Sequence, residues 1–306
     1  MNSAGAGKGA PILQSRPRGQ SQALPFLLVA PALAVVVVVA LAPLAYGLWL
    51  SLTDWNLMRS SSPVFRGFDA YARMLSDGEF WASMERTCVW SLGTVVIEVA
   101  VGLPLALLLN MRTRVSGVLT GLQLLPWVTP FVVVVYAWRA LLDGQSGPLH
   151  ALLQTVGVVG GRSVLSDPNE ALVAVIVISG WAGVPFMTIA LLAALKSVPQ
   201  ELYEAASVDG AGSWARFRHI TTPFIRNTAG VMALVLGVLA FYSFDIVWLT
   251  TKGGPVGSTE IIGVELYNTF VTQLQPGYAA AMGVTALLIL VVAAIPVIAW
   301  SQRGEV

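Results

Sequence analysis

The sequence predicts an all-α membrane protein with six transmembrane helices, and three observations support this fold class. Hydrophobic residues make up 56% of the 306 residues and charged residues only 11%, whereas soluble domains carry roughly 25% charged residues. The mean hydropathy is +0.75. Six apolar stretches are long enough to cross a bilayer, and none has the alternating pattern of a strand.

The predicted spans lie near residues 25–50, 89–110, 118–141, 171–195, 224–249 and 278–300. Each has at least about 20 residues, the length that an α-helix needs to cross a hydrocarbon core of ~30 Å. Because backbone polar groups cannot stay unpaired in lipid, we expect these segments to be helical. The first span follows a basic segment, but its apolar run exceeds the ~7–15 residues of a signal-peptide core. We therefore predict that it is a retained helix.

The distribution of charge predicts the orientation of the chain. The segments before the first span, between spans two and three, between spans four and five, and after span six together hold ten Lys and Arg, counting Arg226 at the start of span five, against four Asp and Glu. Acidic residues outnumber basic residues in the other loops. By the positive-inside rule, both termini are predicted to be cytoplasmic.

The chain divides into three predicted parts. Residues 1–23 are rich in Gly, Ser, Gln, Pro and Arg, and we expect a disordered cytoplasmic tail there. Residues 24–302 form the six-helix transmembrane domain, and residues 303–306 form a C-terminal tail. The segment GAGKGA at 5–10 does not match a phosphate-binding loop, because Lys8 is followed by Gly rather than by Ser or Thr.

The predicted outer loop from about 51 to 88 is polar and aromatic, and FDAYARML within it indicates a short surface helix. Its aromatic residues suit an interfacial belt. A contact surface for an external binding protein is the alternative, and the two are compatible.

Residues 196–223 predict a helix, a sharp turn and a second helix on the cytoplasmic side. Pro199 suits the first turn of a helix, and Gly210 can take the left-handed conformation that ends one. Ser213 is predicted to cap a short helix over 214–219, and Thr222-Pro223 to open the next span. The basic residues of the short helix are expected to face lipid headgroups or an acidic partner; they are Arg216, Arg218 and His219.

Residues 204–223 read EAASVDGAGSWARFRHITTP, and they resemble the EAA loop of ABC importer permeases, on which the membrane subunit contacts its ATPase. The resemblance implies a helix-turn-helix coupling loop at 196–223. It also implies ATPase-coupling roles for Glu204, Ala205, Ala206, Asp209, Gly210, Ile220 and Pro223.

Three further segments resemble the carbohydrate and glycerol-phosphate importer permeases of the first-permease type. They are FDIVWLTTKGGPVGST at 244–259, YNTF at 267–270 and GYAAAMG at 277–283. The resemblance extends over roughly 24–302. It implies a non-catalytic permease subunit in a bacterial plasma membrane, which imports a carbohydrate or a related polyol.

The same resemblance implies the partners. They are a second permease, a dimer of ATP-binding subunits that hold ATP and Mg, an extracytoplasmic substrate-binding protein or lipoprotein, and membrane lipid. No cofactor is expected in this chain itself. The absence of an ATP-binding motif from the sequence makes an ATPase partner necessary for this function.

Polar, aromatic and helix-disturbing residues inside spans four and five are candidates for the substrate path. These candidates are Ser179, Trp181, Gly183, Phe186, Tyr242, Ser243 and Asp245. Gly180, Gly183 and Pro185 are expected to distort helix four and free its carbonyl groups. Two alternatives remain open: these residues serve helix packing and the membrane interface, or the sugar contacts lie chiefly in the partner permease.

Other function classes fit the sequence less well. An ion-coupled secondary transporter using Glu98 and Asp245, or a membrane scaffold without a transport path, leaves the EAA-like loop unexplained. A net charge of +1 argues against a nucleic-acid partner, because phosphate binding needs a basic patch. The single cysteine, Cys88, excludes an intrachain disulfide and a thiolate metal cluster. His150 and His219 are predicted on opposite sides of the membrane, so we expect neither an enzyme nor a metal site.

Overall fold

The computed structural model describes residues 23–111 and 116–302. Apart from Ala23, the two predicted tails lie outside the described residues. The chain separates into a unit that ends at Gly47 and a larger unit that begins at Leu48.

The described part of the first unit is one long apolar helix, whose last three residues belong to the second unit. Helix α1 (Ala23–Val36) passes through a π-helical turn at Val37–Leu41 into α2 (Ala42–Leu50). Residues Val29–Leu50 are long and apolar enough to cross a membrane. Hydrophobic residues lie on every face of this helix, as expected for a helix in a largely apolar environment.

The second unit is mainly helical and contains one small hairpin. Strands β1 (Thr53–Asp54) and β2 (Val64–Phe65) are antiparallel, with Thr53 opposite Phe65. The helices are α3 (Asp69–Leu75), α4 (Gly78–Asn110), α5 (Ser116–Val128), α6 (Phe131–Leu141), α7 (Pro148–Thr155), α8 (Ala171–Lys196), α9 (Gln200–Val208), α10 (Ser213–Arg216), α11 (Thr222–Phe241), α12 (Asp245–Thr250), α13 (Ile262–Tyr267) and α14 (Pro276–Gln302). A 3-10 turn at Val164–Ser166 and π-helical turns at Phe217–Thr221 and Asn268–Thr272 lie between them.

Among the described residues, five helical segments can each cross a membrane without a break. The expectation of one continuous third span over 118–141 is wrong. That span consists of α5 and α6, which meet at an angle of 99°. Thr129 and Pro130 separate the two helices, and Pro130 has no N–H to continue the hydrogen bonds of α5.

Two other spans have different limits from those predicted. The second begins at Gly78 rather than near residue 89, and the carboxylate of Asp77 accepts a hydrogen bond from the backbone N–H of Glu79 at 3.1 Å. This cap satisfies a free donor at the start of α4.

The fifth helix runs from Ser213 to Phe241, and α12 follows separately. The short helix predicted from FDAYARML is confirmed as α3.

Helices α4 and α8 form the most extensive helix pair, and α11 packs against both. Glycines on α8 permit the close approach. A Cβ added at Gly180 would lie 2.7 Å from Cγ2 of Ile97, a separation that packed side chains do not tolerate. Helix α8 continues without a break through Gly180, Gly183 and Pro185. The small residues of this helix serve its packing against α4.

Candidate functional sites

The EAA-like segment ends α9 with a hydrogen-bonded turn. Gly210 has φ +76°, the left-handed conformation predicted for it. Its N–H donates to the carbonyl of Ser207 at 3.2 Å, and the N–H of Ala211 donates to the carbonyl of Ala206 at 2.8 Å. These two bonds are the Schellman arrangement, which satisfies carbonyls at a helix end. Ala206 therefore both belongs to the motif and accepts the bond that closes its turn.

The face of α9 is open. None of its side chains is buried within the chain. Glu204 and Ala205 are exposed, and Val208 at the tip is 88% exposed. Residues three and four apart on a helix share a face, so these three side chains form one surface with an acid, a small residue and an apolar residue. The sequence reasoning missed Val208, although its position four residues after Glu204 was a usable signal.

Two side-chain contacts hold α9 against the following helix. The hydroxyl of Tyr203 lies 2.9 Å from Oγ1 of Thr221, which is buried. Arg216 donates through Nη1 to Oγ of Ser207 at 3.0 Å, and Ser207 donates in turn to the carbonyl of Tyr203. These residues were also missed, because neither pairing is local in sequence.

The second half of the loop differs from the prediction. Gly212 rather than Ser213 precedes α10, and no side chain caps it. Helices α10 and α11 are joined by the π-helical turn, so Thr222-Pro223 does not open a new helix. The hydroxyl of Thr222 donates to the carbonyl of Phe217 at 2.9 Å, five residues earlier. The wider turn lets the helix continue past Pro223, which has no N–H to donate. Ile220 lies half-buried within this turn, and Pro223 is exposed.

A second candidate site is a line of buried polar groups on α4. The side-chain oxygens of Ser91 and Thr94 and Oε2 of Glu98 are buried, with no hydrogen-bond partner among the described residues. The Glu98 side chain is 3% exposed. Its Oε1 occupies the place where a Cβ of Gly183 on α8 would lie. Because residues three and four apart share a helix face, these groups lie along the side of α4 that packs against its neighbours.

The predicted path residues of α8 lie beside the broken span. The rings of Trp181 and Trp138 meet edge to face at 5.7 Å, and those of Phe186 and Trp127 do so at 5.4 Å. Trp127 lies on α5 and Trp138 on α6, so the two pairs connect α8 to both halves of this span. Ser179 is buried on the same helix, and Gly183 lies against Glu98. Trp127 and Trp138 were missed by the sequence reasoning.

The remaining path candidates lie beyond the end of α11. Tyr242 and Asp245 are exposed, and Ser243 is half-buried. Asp245 begins α12, which packs against α6 and α8. The structure therefore brings α8, which carries the first group of candidates, into contact with α12, which begins at Asp245. Trp181 and Tyr242 nevertheless have different aromatic partners, which are Trp138 and Phe241.

Two of the segments quoted above for their family resemblance meet in space. The rings of Phe244, Trp248 and Tyr267 form one cluster, with centroid distances of 5.4, 5.0 and 4.5 Å. Asn268 donates through Nδ2 to Oε1 of Glu260 at 2.7 Å. In the part of the chain that the structure describes, no group of three or more His, Cys, Asp or Glu side chains is placed to hold a metal ion.

Comparison with known proteins identifies relatives of the whole domain. Residues 98–303 match the family model described as "Binding-protein-dependent transport system inner membrane component". The trehalose/maltose transport system permease protein of Thermococcus litoralis is 34% identical over 258 residues, which cover 84% of this chain and 87% of that protein. The trehalose transport system permease protein of Mycobacterium tuberculosis is 32% identical, covering 90% of this chain and 86% of that one.

Another relative is the sulfoquinovosyl glycerol transport system permease protein of Agrobacterium fabrum, 32% identical over 85% of this chain and 84% of its own length. Among solved structures, the fold is similar to a chain of a bacterial ABC transporter involved in the import of the acidic polysaccharide alginate. The TM-score is 0.76 at 21% identity, covering 92% of this chain and 96% of that one.

Proposed function

Because the chain belongs to the family of binding-protein-dependent transport inner membrane components, we propose that α9–α11 couples it to an ATPase and that its substrate is a carbohydrate or a related polyol. The chain is a permease subunit of an ABC importer and a component of the inner membrane. The proposal adds the surface that receives the ATPase, the orientation of the chain and the class of its cargo.

The observation that carries the coupling role is the construction of α9. The helix buries none of its side chains in its own chain, ends in a fixed turn at Gly210 and is held to α11 by Tyr203 and Thr221. A helix that is exposed yet firmly attached is suited to receive a partner and to pass on its movement. The proposed contact uses Glu204, Ala205, Ala206, Asp209 and Gly210, with Ile220 and Pro223 in the adjoining helix. Because an ATPase that uses cellular ATP is cytoplasmic, the proposal orients this surface and both termini toward the cytoplasm.

The proposed cycle uses two conformations of the complex. ATP and Mg bound by two partner subunits close the ATPase dimer, which moves α9 of this chain and the matching helix of a second permease. The permeases change from inward-open to outward-open and receive substrate from an extracytoplasmic binding protein or lipoprotein. Hydrolysis returns the inward-open state. Each ligand acts by binding one of the two states more tightly than the other.

The carbohydrate class is supported by the names of relatives that transport trehalose, maltose or sulfoquinovosyl glycerol. In this chain, Trp181 and Phe186 present aromatic faces beside α5 and α6, and such faces suit the apolar side of a sugar ring. Hydroxyl and carboxylate groups that can bind sugar hydroxyls are supplied by Ser179, Tyr242, Ser243 and Asp245, and we include Gly183 in the proposed path because it brings the Glu98 carboxyl against α8.

The first test is a mild-detergent pull-down of the tagged chain from its own cells, with and without Glu204→Lys. We expect the wild type to retain an ATP-binding subunit and a second permease, and the variant to lose the ATP-binding subunit while keeping the second permease. Glu85→Lys, at an exposed glutamate on α4, is the matched control and is expected to retain both. Retention of the ATP-binding subunit by Glu204→Lys at normal expression would contradict the coupling role.

A further inference from the structure

A shallow basic groove lies along one side of α10 and the start of α11. We call this surface the basic groove; it has a volume of about 410 Å³ and is lined by Trp214, Phe217, Arg218, Thr222, Pro223 and Arg226. Both arginines are exposed, and the lining contains no acidic residue.

Four of the lining residues follow one another at intervals of four: Trp214, Arg218, Thr222 and Arg226. In a regular α-helix of 3.6 residues per turn, such a series drifts around the axis by about 40° at each step. The π-helical turn at Phe217–Thr221 is wider and turns less per residue, which opposes the drift. The turn thus keeps the two arginines on a common side although they are eight residues apart.

The two arginines of the basic groove are unpaired. Within the described residues, neither Arg218 nor Arg226 donates a hydrogen bond or contacts a carboxylate. The neighbouring basic side chains are engaged: Arg216 donates to Ser207, and Nδ1 of His219 lies 3.0 Å from the carbonyl of Ala215. Arg216, Arg218 and His219 were expected to face lipid headgroups or an acidic partner, and of these three only Arg218 has no hydrogen bond within the described residues. Arg226 is a second arginine without a hydrogen bond on the same surface.

The position of the groove along the span indicates which partner it meets. About 20 helical residues cross the hydrocarbon core, and counting back from Phe241, the end of α11, reaches Thr222 in the middle of the groove. Arg226 then lies just inside this level and Arg218 just outside it, and a long arginine side chain can extend to the headgroups. Trp214 is 71% exposed and stacks on Phe217 at 5.6 Å; exposed tryptophan is enriched at the same level of a membrane.

We propose that the basic groove binds the phosphate headgroup of an anionic phospholipid, with Arg218 and Arg226 as the two cationic contacts and Trp214 against the glycerol region. Two unpaired cations without an acidic neighbour favour a lipid of net negative charge over a zwitterionic lipid, whose ammonium group would be repelled. The site is a property of this chain alone and does not depend on the docking of an ATPase.

The test is native mass spectrometry of the full-length chain, delipidated in detergent and titrated with phosphatidylglycerol or with phosphatidylcholine of the same acyl chains. We expect Arg218→Gln/Arg226→Gln to lower the preference for phosphatidylglycerol by about thirtyfold, given the usual contribution of each basic residue at an anionic surface. Arg59→Gln/Arg66→Gln removes two exposed arginines of the loop between α2 and α3 and is expected to keep the preference. An unchanged preference in the first variant, or an equal loss in the control, would overturn the proposal.

Two further arms separate the sources of the negative charge. Inorganic phosphate at the same concentration is expected to displace little phosphatidylglycerol; efficient displacement would assign the groove to a soluble phosphate instead. If Arg218→Gln/Arg226→Gln loses the ATP-binding subunit in the pull-down and keeps its lipid preference, the arginines serve an acidic protein surface and the lipid proposal fails. Loss of lipid preference with the ATP-binding subunit retained supports the lipid site and leaves the coupling role to be judged by Glu204→Lys.

Discussion

The hydroxyl of Tyr203 lies 2.9 Å from Oγ1 of Thr221, eighteen residues further along the chain. This contact joins the helix that carries the EAA-like motif to the helix that enters the membrane. Thr221 is buried, so its hydroxyl is not freely solvated if the tyrosine oxygen is removed. The pair is thus a connection through which a displacement of α9 can reach α11.

Tyr203→Phe is expected to weaken coupling without preventing ATPase docking, because the ring remains and only the hydroxyl is lost. A single hydrogen bond contributes about 1 kcal/mol, which corresponds to about a fivefold fall in uptake if the bond is needed in one of the two states. The measurement is substrate uptake by the assembled importer. Thr221→Val and the double variant complete a cycle, and fully additive losses would show that the two hydroxyls do not act together.

Gly210→Val is expected to impair uptake by straining the end of α9. A Cβ at this position meets no atom within 4 Å, so the penalty comes from φ +76° alone, at about 1–2 kcal/mol. Gly210→Asn is the matched control, since asparagine tolerates this conformation better than a β-branched residue. Uptake and ATPase retention by both variants are the measurements. Equal behaviour of valine and asparagine would rule out backbone conformation as the cause.

Gly183→Ala is expected to destabilise the packing of α4 against α8, because the new methyl group would collide with the Glu98 carboxyl. Overpacking of this kind costs about 1–3 kcal/mol, visible as a lower thermal unfolding midpoint in detergent. Shortening the opposing side chain in Gly183→Ala/Glu98→Ala should restore part of the loss. A Gly183→Ala protein as stable as wild type would contradict the contact. A tryptophan at 183 would disturb the same packing, so loss of transport in that variant would not by itself place Gly183 in the path.

Glu265 on α13 predicts a dependence of stability on pH. Its side chain is 8% exposed. Burial is the largest cause that raises the pKa of Glu265 to about 7, and the nearby carboxylates of Glu260, Asp77 and Glu79 add to it. A side-chain hydrogen bond with Ser83 acts in the opposite direction and lowers the pKa. The unfolded chain ionises this group near pH 4.5 while the folded chain keeps it neutral. The stability that the neutral group contributes is complete below pH 4.5 and is lost as the pH rises to about 7.

Thermal unfolding midpoints measured from pH 4 to pH 8 test this prediction. Glu265→Gln, which stays neutral throughout, should remove the fall between pH 4.5 and pH 7. Glu85→Gln is the control, because this exposed glutamate of α4 is not among the groups that raise the pKa of Glu265. The same slope in wild type and Glu265→Gln would show that another group titrates.

The long spans and the left-handed glycine could be predicted because both signals are local. Apolar length alone identifies a membrane helix, and the Asp-Gly step after a helical pattern indicates a left-handed end. The break of the third span had a signal in PWVTP, but two prolines do not by themselves distinguish a kink from a full bend.

Three contacts could not be read from the sequence, because each depends on how distant helices pack. They are those of Tyr203 with Thr221, Trp181 with Trp138 and Glu98 with Gly183. The continuation of α10 into α11 was missed because Pro223 ordinarily starts a helix, and the π-helical turn that accommodates it has no clear sequence pattern.

Helix α4 has 33 residues, so it is about 50 Å long, whereas the hydrocarbon core is only about 30 Å thick. Its first turns are secured at Asp77, which also accepts a hydrogen bond from the hydroxyl of Tyr278 on α14 at 2.6 Å. Because its first turns carry Glu79, Glu85 and Arg86, we infer that much of the excess length lies outside the hydrocarbon core, as a platform braced by α14. A soluble protein that docked there would meet a protein platform before it met headgroups, so the transfer of a solute to this chain would be shielded from the mixture of lipids around it.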